Sequence, residues 1–97
     1  MKECLIEIGR IAFSKSGRDA GKCFIIYDII DENYVYLVDG SLRKLNNPKK
    51  KKIKHLELKH ERLDAIREKI LGGKKVFDSE VYSAIENYLS SQNQRRD

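Results

Sequence analysis

Short apolar runs separated by tight turns fill much of the first half of the chain. The run Cys23–Ile30 is rich in β-branched and aromatic residues, and Tyr34–Val38 follows after the polar turn Asp31–Asn33. Asp39-Gly40 then supplies the two-residue signal of a β-hairpin, because both turn positions favour residues that adopt positive φ. This pattern predicts short strands that pair with their neighbours along the chain.

Further strands are predicted on both sides of this region. Apolar residues alternate from Ile6 to Phe13, and Gly9 inside that run marks a bend or bulge. Ser41–Leu45 would return from the hairpin, and Lys51–Leu56 would form a last short strand. Five short strands with tight turns predict a small closed β-barrel. The inward face of Cys23–Ile30 stays open, because both of its alternate faces are largely apolar.

The second half of the chain changes to a helical period. One apolar helical face precedes Gly72-Gly73, where the first helix should stop. Asp78 is expected to cap a second helix, with Phe77 and Tyr82 placed as a hydrophobic staple. The apolar positions of the two helices are Leu63, Ile66 and Ile70, then Val81, Ile85 and Leu89.

Positive charge is concentrated in one segment. Residues 43–62 carry nine Lys or Arg against two Glu, whereas residues 1–42 are slightly acidic and residues 63–97 are balanced. The net charge of +5 therefore comes from this segment. Such a block repels itself unless it meets an anion, and nucleic acid is the densest common polyanion in a cell. A solvated linker is the alternative.

The loop between the first two predicted strands has the sequence SKSGRDAGK, residues 14–22. Gly17 and Gly21 permit backbone conformations closed to other residues, and Asp19 can accept hydrogen bonds from nearby amides. Three cations would then project from a short, ordered loop towards a phosphate backbone: Lys15, Arg18 and Lys22. An ordinary basic hairpin loop explains the same spacing.

A family resemblance rests on the run GRIAFSKSGRDAGKCFIIYDIIDENYVYLVDG. It resembles a KOW motif in an SH3-like barrel. It is similar to the N-terminal domain of the L-fourteen-e type of ribosomal protein, and more closely to short bacterial KOW-domain RNA-binding proteins. Ala20 and Phe24 depart from many KOW motifs, and residues 57–97 match no family that we can place. The matching residues are Gly9, Arg10, Gly17, Arg18, Asp19, Gly21, Lys22, Asp39 and Gly40.

The resemblance implies non-catalytic RNA binding, with ribosomal or ribosome-associated RNA as the partner. We expect a mainly β fold with an α appendage: a five-stranded SH3-like barrel over residues 1–56, then two short helices over residues 57–97 with a frayed tail. The residues predicted to contact the RNA backbone are Lys15, Arg18, Lys22, Arg43, Lys44, Lys49, Lys50, Lys51, Lys52 and Lys54. Phe13, Tyr34 and Tyr36 are expected in the barrel core, with exposed stacking platforms as the alternative.

Other function classes find little support in the sequence. No nucleophile, acid–base or phosphate-loop motif is present, so we expect no enzyme and no cofactor. Cys4, Cys23 and the two His lack metal-ligand spacing, and both cysteines are predicted to be small apolar fillers at strand positions. No segment has the length and hydropathy of a membrane span or a signal peptide, which predicts a cytoplasmic protein.

A protein-interaction module is the alternative function. SH3-like barrels often bind peptides or partner proteins, and ribosomal or transcription proteins would be the partners here. The second helix would then dock a partner or a second copy through Val81, Ile85 and Leu89. The oligomeric state stays open. The two functions differ in salt dependence, because phosphate binding weakens in high salt and an apolar interface does not.

Overall fold

Five strands come first in the chain and two helices follow. The computed structural model describes residues 5–94, and their side chains as far as Gln92. The prediction for Cys4 and the end of the predicted frayed tail therefore lie outside the described residues. The elements are β1 (Arg10–Ser14), β2 (Cys23–Ile29), β3 (Tyr34–Val38), β4 (Lys49–Lys52), a 3-10 turn (Ile53–His55), β5 (Leu56–Arg62), α1 (Asp64–Leu71) and α2 (Asp78–Gln94).

The strands form one antiparallel sheet in the order β4-β3-β2-β1-β5. The 3-10 turn leads directly from one edge strand, β4, to the other, β5, so a three-residue connection spans the two edges. Strong curling of the sheet is needed for so short a link. Mainly β structure in five barrel strands, followed by two helices, confirms the predicted fold class.

Both faces of β2 are buried over its first four residues, which resolves the ambiguity of the sequence there. Phe24 and Ile26 belong to a core cluster enclosed by the sheet, together with Val35 and Leu37 of β3. The alternate residues face the helices in a second cluster, whose buried members are Ile11, Cys23, Ile25, Val38, Ile66, Val81 and Ile85. Cys23 is confirmed as a buried filler at a strand position, and burial raises the pKa of its thiol to about 12.

The segment Ser41–Leu45 is not a strand, contrary to the prediction. The carboxylate of Asp39 accepts hydrogen bonds from the N–H groups of Ser41 and Arg43, which closes a compact turn. The N–H of Leu45 donates to Asp78 Oδ1 at 2.7 Å, so the helical appendage takes up a donor that a returning strand would have used. The strand that pairs with the other edge of β3, opposite β2, is therefore β4.

Gly40 allows this turn to approach the start of α2. Its φ is +80°, and an added Cβ would lie 2.2 Å from the carbonyl oxygen of Asp78 and 2.8 Å from the amide nitrogen of Tyr82. No side chain fits between these backbones without a shift. Gly40, the glycine of the predicted hairpin, is therefore also needed for close packing of the β3–β4 loop against α2.

The ends of the barrel differ from the predicted boundaries. The first strand begins at Arg10 rather than Ile6, after a turn that contains Gly9, where the bend was predicted. The last strand is not Lys51–Leu56: β4 ends at Lys52, and β5 runs to Arg62, through residues assigned to the helical extension. Pairing of β5 with β1 holds this charged segment extended.

The helices follow the predicted periodicity. Ile66 is buried and Gly72 ends α1, as predicted. The carboxylate of Asp78 accepts from Leu45 instead of capping α2, and Glu80 Oε1 accepts from the N–H of Phe77 at the start of the helix. The second helix continues to Gln94, so residues 90–94 of the tail that was expected to fray are helical.

Candidate nucleic-acid interface

The loop between β1 and β2 is held by its own backbone. Ala20 N–H donates to the carbonyl of Gly17, and the N–H of Gly21 donates to that of Ser14 at 2.8 Å. Gly17 and Gly21 have φ of +78° and +84°, a region that glycine enters without strain. The glycine spacing in the sequence therefore does build a tight, ordered loop.

A buried carboxylate joins this loop to the β3–β4 loop. Asp19 is 6% exposed, and its Oδ2 accepts a hydrogen bond of 2.9 Å from the guanidinium of Arg43. Arg43 Nε is also buried and has no partner within the described residues. The guanidinium is therefore directed into the protein, and the structure gives Arg43 a positioning role beside its predicted phosphate contact.

Two further bonds fix the loop against the 3-10 turn and β4. The N–H of Lys15 donates to the carbonyl of His55 at 2.8 Å. Lys51 Nζ donates to the carbonyl of Ser16 at 3.1 Å, which bridges the gap between the edge strand and the loop. The three predicted basic segments are thus brought together, although they are up to 40 residues apart in sequence.

The lysines of β4 alternate between the two faces of the sheet. Lys49 and Lys51 lie opposite Leu37 and Val35, whose side chains point into the barrel core, and both lysines are half-buried. Lys50 and Lys52 share the other face with their cross-strand neighbours Tyr36 and Tyr34. Because opposite residues of paired strands share a face, the four lysines flank the sheet edge on both sides.

Most of the predicted cations have no hydrogen-bond or ion-pair partner for their charged groups among residues 5–94. Of the ten, Arg43 pairs with a carboxylate and Lys51 donates to a carbonyl. Within residues 5–94, the charged groups of the other eight make neither a hydrogen bond nor an ion pair. We call these eight side chains the basic rim: Lys15, Arg18, Lys22, Lys44, Lys49, Lys50, Lys52 and Lys54.

Three carboxylates away from the loop, those of Glu7, Glu57 and Glu80, are matched by neighbouring bases. A hydrogen bond from Arg62 holds the pKa of Glu7 below its ordinary value. Lys59 lowers the pKa of Glu57 in the same way, and an ion pair with Lys69 lowers that of Glu80. These carboxylates therefore have local partners, and Glu57 also interacts electrostatically with Lys15 of the rim.

The aromatic residues divide between core and surface. Phe13 packs against the cluster under the helices and has Lys59 Nζ 5.6 Å from its ring centroid. Tyr34 and Tyr36 are half-buried, and among the described residues neither belongs to a core cluster, so their placement in the core was wrong. Lys50 Nζ lies 4.7 Å from the Tyr34 ring centroid, and Lys52 Nζ lies at 5.8 Å.

The sequence alone did not identify the bonds that assemble this surface. Nothing in the spacing of Asp19 and Arg43 or of Ser16 and Lys51 points to a contact, since each pair depends on barrel closure. Over residues 5–94, no group of three or more His, Cys, Asp or Glu could hold a metal ion. In the same part of the chain, none of the helices has the length and apolar character needed to cross a membrane.

Comparison with known proteins gives several close relatives, although no family model matches the chain. The large ribosomal subunit protein eL14 of Sulfolobus acidocaldarius is 40% identical over 81 residues, which cover 84% of this chain and 77% of that protein. The eL14 protein of Aeropyrum pernix is 34% identical over 84 residues, 84% of this chain and 75% of the relative. That of Desulfurococcus amylolyticus is 54% identical over 54 residues, 54% of each chain.

These relatives are archaeal, and the match spans about half the length of the Desulfurococcus protein and about three quarters of the other two. The resemblance to the L-fourteen-e type is confirmed by them. The closer likeness to a bacterial KOW group is not supported.

Proposed function

Because this chain belongs to the eL14 family of large ribosomal subunit proteins, we propose that it binds ribosomal RNA as a structural, non-catalytic component of the ribosome in the cytoplasm. The basic rim is the observation that supports this proposal. Eight cations surround an ordered loop and an edge strand, and within residues 5–94 their charged groups make no hydrogen bond or ion pair with a carboxylate. RNA phosphates would supply the missing negative charge.

The proposed contacts divide by geometry. The β1–β2 loop acts as a KOW-type element in which Arg18, exposed at the loop, grips one phosphate through two parallel hydrogen bonds. Lysines of the rim follow the neighbouring phosphates and add affinity without base discrimination. Arg43 contributes mainly by holding Asp19 and thereby the shape of the loop. The barrel, including β5, is the RNA-binding unit, and α1 and α2 are its packed extension.

Contact with a neighbouring ribosomal protein is a second candidate function. Leu42, Phe77 and Tyr82 are exposed by 62%, 58% and 46%, and Gly40 places the β3–β4 loop against the turn of α2 that carries Tyr82. The predicted docking face is wrong, however, because Val81 and Ile85 are buried against the barrel. The relatives give no support for transcription proteins as partners.

Two charge-matched double variants test the RNA-binding proposal. Arg18→Gln with Lys22→Gln removes two rim cations, and Lys74→Gln with Lys75→Gln removes two exposed cations between the helices. Binding to fragments of large-subunit ribosomal RNA is measured over a range of salt concentrations. The wild-type slope of log K against log salt should be near −4 to −5 if about five or six phosphates are neutralised. The rim variant should lower its magnitude by about 1.4 to 1.8.

The helix-connection variant should keep the wild-type slope and affinity for the same RNA. Equal losses in the two variants would mean that total charge, not the rim, attracts the RNA. Affinity that does not depend on salt would contradict the proposal and favour the apolar contact through Leu42, Phe77 and Tyr82.

A further inference from the structure

A cleft beside the start of β3 lies next to the rim lysines and has no part in the proposed phosphate contacts of the loop. Its volume is about 490 Å³. The N–H of Ile53 donates to the carbonyl of Asn33 at 2.8 Å, so a backbone hydrogen bond fixes the two walls relative to each other. The lining residues are Glu32, Asn33, Tyr34, Lys52, Ile53 and Lys54.

Tyr34 gives this cleft an aromatic wall with cations beside it. The ring is half-buried on the outer face of β3, and the ammonium groups of Lys50 and Lys52 lie over it. A cation over a partly exposed ring is held weakly, so either lysine can turn to a phosphate and uncover the ring. An aromatic face with mobile cations at its side matches the two parts of a nucleotide, its base and its phosphate.

We infer that the cleft receives one unpaired nucleotide of the bound RNA, with its base stacked on Tyr34 and its phosphate contacted by Lys50 or Lys52. The inference rests on the proposed RNA-binding function and specifies the kind of RNA that the site takes: a bulge, loop or strand end rather than a continuous duplex. The Glu32 carboxylate lines the cleft and repels phosphate, which sets the base towards Glu32 and Asn33. Ile53 supplies an apolar wall for the base.

A hairpin RNA with a single bulged 2-aminopurine, compared with the same hairpin fully paired, tests this inference. The wild-type protein should bind the bulged hairpin about five- to tenfold more tightly, as expected for one base stacked on an aromatic ring. Binding should also quench the 2-aminopurine fluorescence. Tyr34→Leu should bring the affinity ratio of the two hairpins close to one and abolish the quenching, whereas Tyr34→Phe should keep both.

Tyr36→Leu is the matched control, because Tyr36 lies on the same face of β3 but does not line the cleft. It should keep the preference for the bulge. An equal loss in Tyr36→Leu and Tyr34→Leu would overturn the assignment to this cleft. A photocrosslink from a bulged 4-thiouridine to Tyr34 of the wild-type protein gives a measurement that does not depend on the folding of any variant, and a crosslink elsewhere would also overturn the assignment.

The outcomes separate this inference from the proposed function. If the wild-type protein binds both hairpins equally and the Arg18→Gln, Lys22→Gln variant weakens both, phosphate binding stands and the nucleotide cleft is refuted. If the wild-type protein binds neither hairpin nor ribosomal RNA fragments, both proposals fail.

Discussion

Two basic regions of this molecule use their cations in opposite ways. In the first, which we call the arginine cluster, Arg10, Arg62 and Arg67 donate to the carboxylates of Glu7 and Asp64 and to backbone carbonyls. In the basic rim, by contrast, the cations have no such partners within residues 5–94. The positively charged segment 43–62 contributes to both regions, so charge density along the sequence does not tell a structural cation from one available to a ligand.

The largest expected effect is on folding, from Arg10→Met in the arginine cluster. Arg10 is 6% exposed and donates to the carbonyls of Leu5 and His60 and to Glu7 Oε1. Its loss leaves the two carbonyls without this donor and Glu7 with Arg62 alone, and should lower the free energy of unfolding by about 3 kcal/mol, measured by urea denaturation. Arg62→Met, at a side chain 35% exposed, should cost clearly less.

RNA affinity is the second measurement on Arg10→Met. Under conditions in which the variant is folded, its affinity for ribosomal RNA should equal that of the wild type. A variant that is stable but binds RNA weakly would place Arg10 among the ligand-binding cations and remove the contrast between the two regions.

A smaller loss of stability is expected at Arg43. This residue is paired with a carboxylate, like the arginine cluster, but it lies beside the basic rim. Asp19→Asn and Arg43→Gln should each lower the free energy of unfolding by about 1 to 2 kcal/mol, because each removes one charge from a largely buried, charged hydrogen bond. The double variant should cost little more than either single change, with a coupling energy of about 1 kcal/mol in a double-mutant cycle. Fully additive losses would show that the pair does not hold the loop.

The next effect concerns the loss of stability at low pH through Glu7. The hydrogen bond from Arg62 lowers the pKa of Glu7 from its ordinary 4.5, so the folded protein binds the proton less readily than the unfolded chain. The stabilisation is therefore present above pH 4.5 and is lost as the pH falls through the lower, folded-state pKa. The urea concentration at the midpoint of unfolding should therefore fall less steeply below pH 4.5 in Glu7→Gln than in the wild type. An unchanged profile would mean that the ion pair does not contribute to stability.

The sequence predicted the interior of the barrel better than its edges. β3 matches Tyr34–Val38, and β2 ends within one residue of its prediction, because β-branched and aromatic runs are buried in almost any arrangement. β5 was missed because Glu57 and Glu61 lie at helical spacing, and only pairing with β1 keeps that segment extended. Ser41–Leu45 failed for a similar reason, since Asp78 of the helix binds the N–H of Leu45.

In the candidate site, too, features set by the local sequence were predictable and features set by strand pairing were not. The tight turn of the β1–β2 loop was predictable because Gly17 and Gly21 specify it locally. The carboxylate of Asp19 was predicted to accept from nearby amides, and it accepts from Arg43 instead. The orientation of the β4 lysines depends on the register with Tyr34 and Tyr36, which is a property of the sheet and not of a run of identical residues. The Asp19–Arg43 pair likewise joins two loops that only the fold brings together.

The smallest expected effect on folding, and the sharpest test of the comparison, comes from Lys50→Gln with Lys52→Gln. Loss of the two contacts to the Tyr34 ring should change the free energy of unfolding by less than about 1 kcal/mol. The magnitude of the slope of log K against log salt should nevertheless fall by about 1.4 to 1.8, because two phosphate contacts disappear.

β4 is also an edge strand, and lysines on such edges prevent strands of different molecules from pairing. Light scattering and RNA titration on the same samples separate these roles: aggregation with an unchanged salt slope would mean that the β4 lysines protect the edge and do not bind RNA.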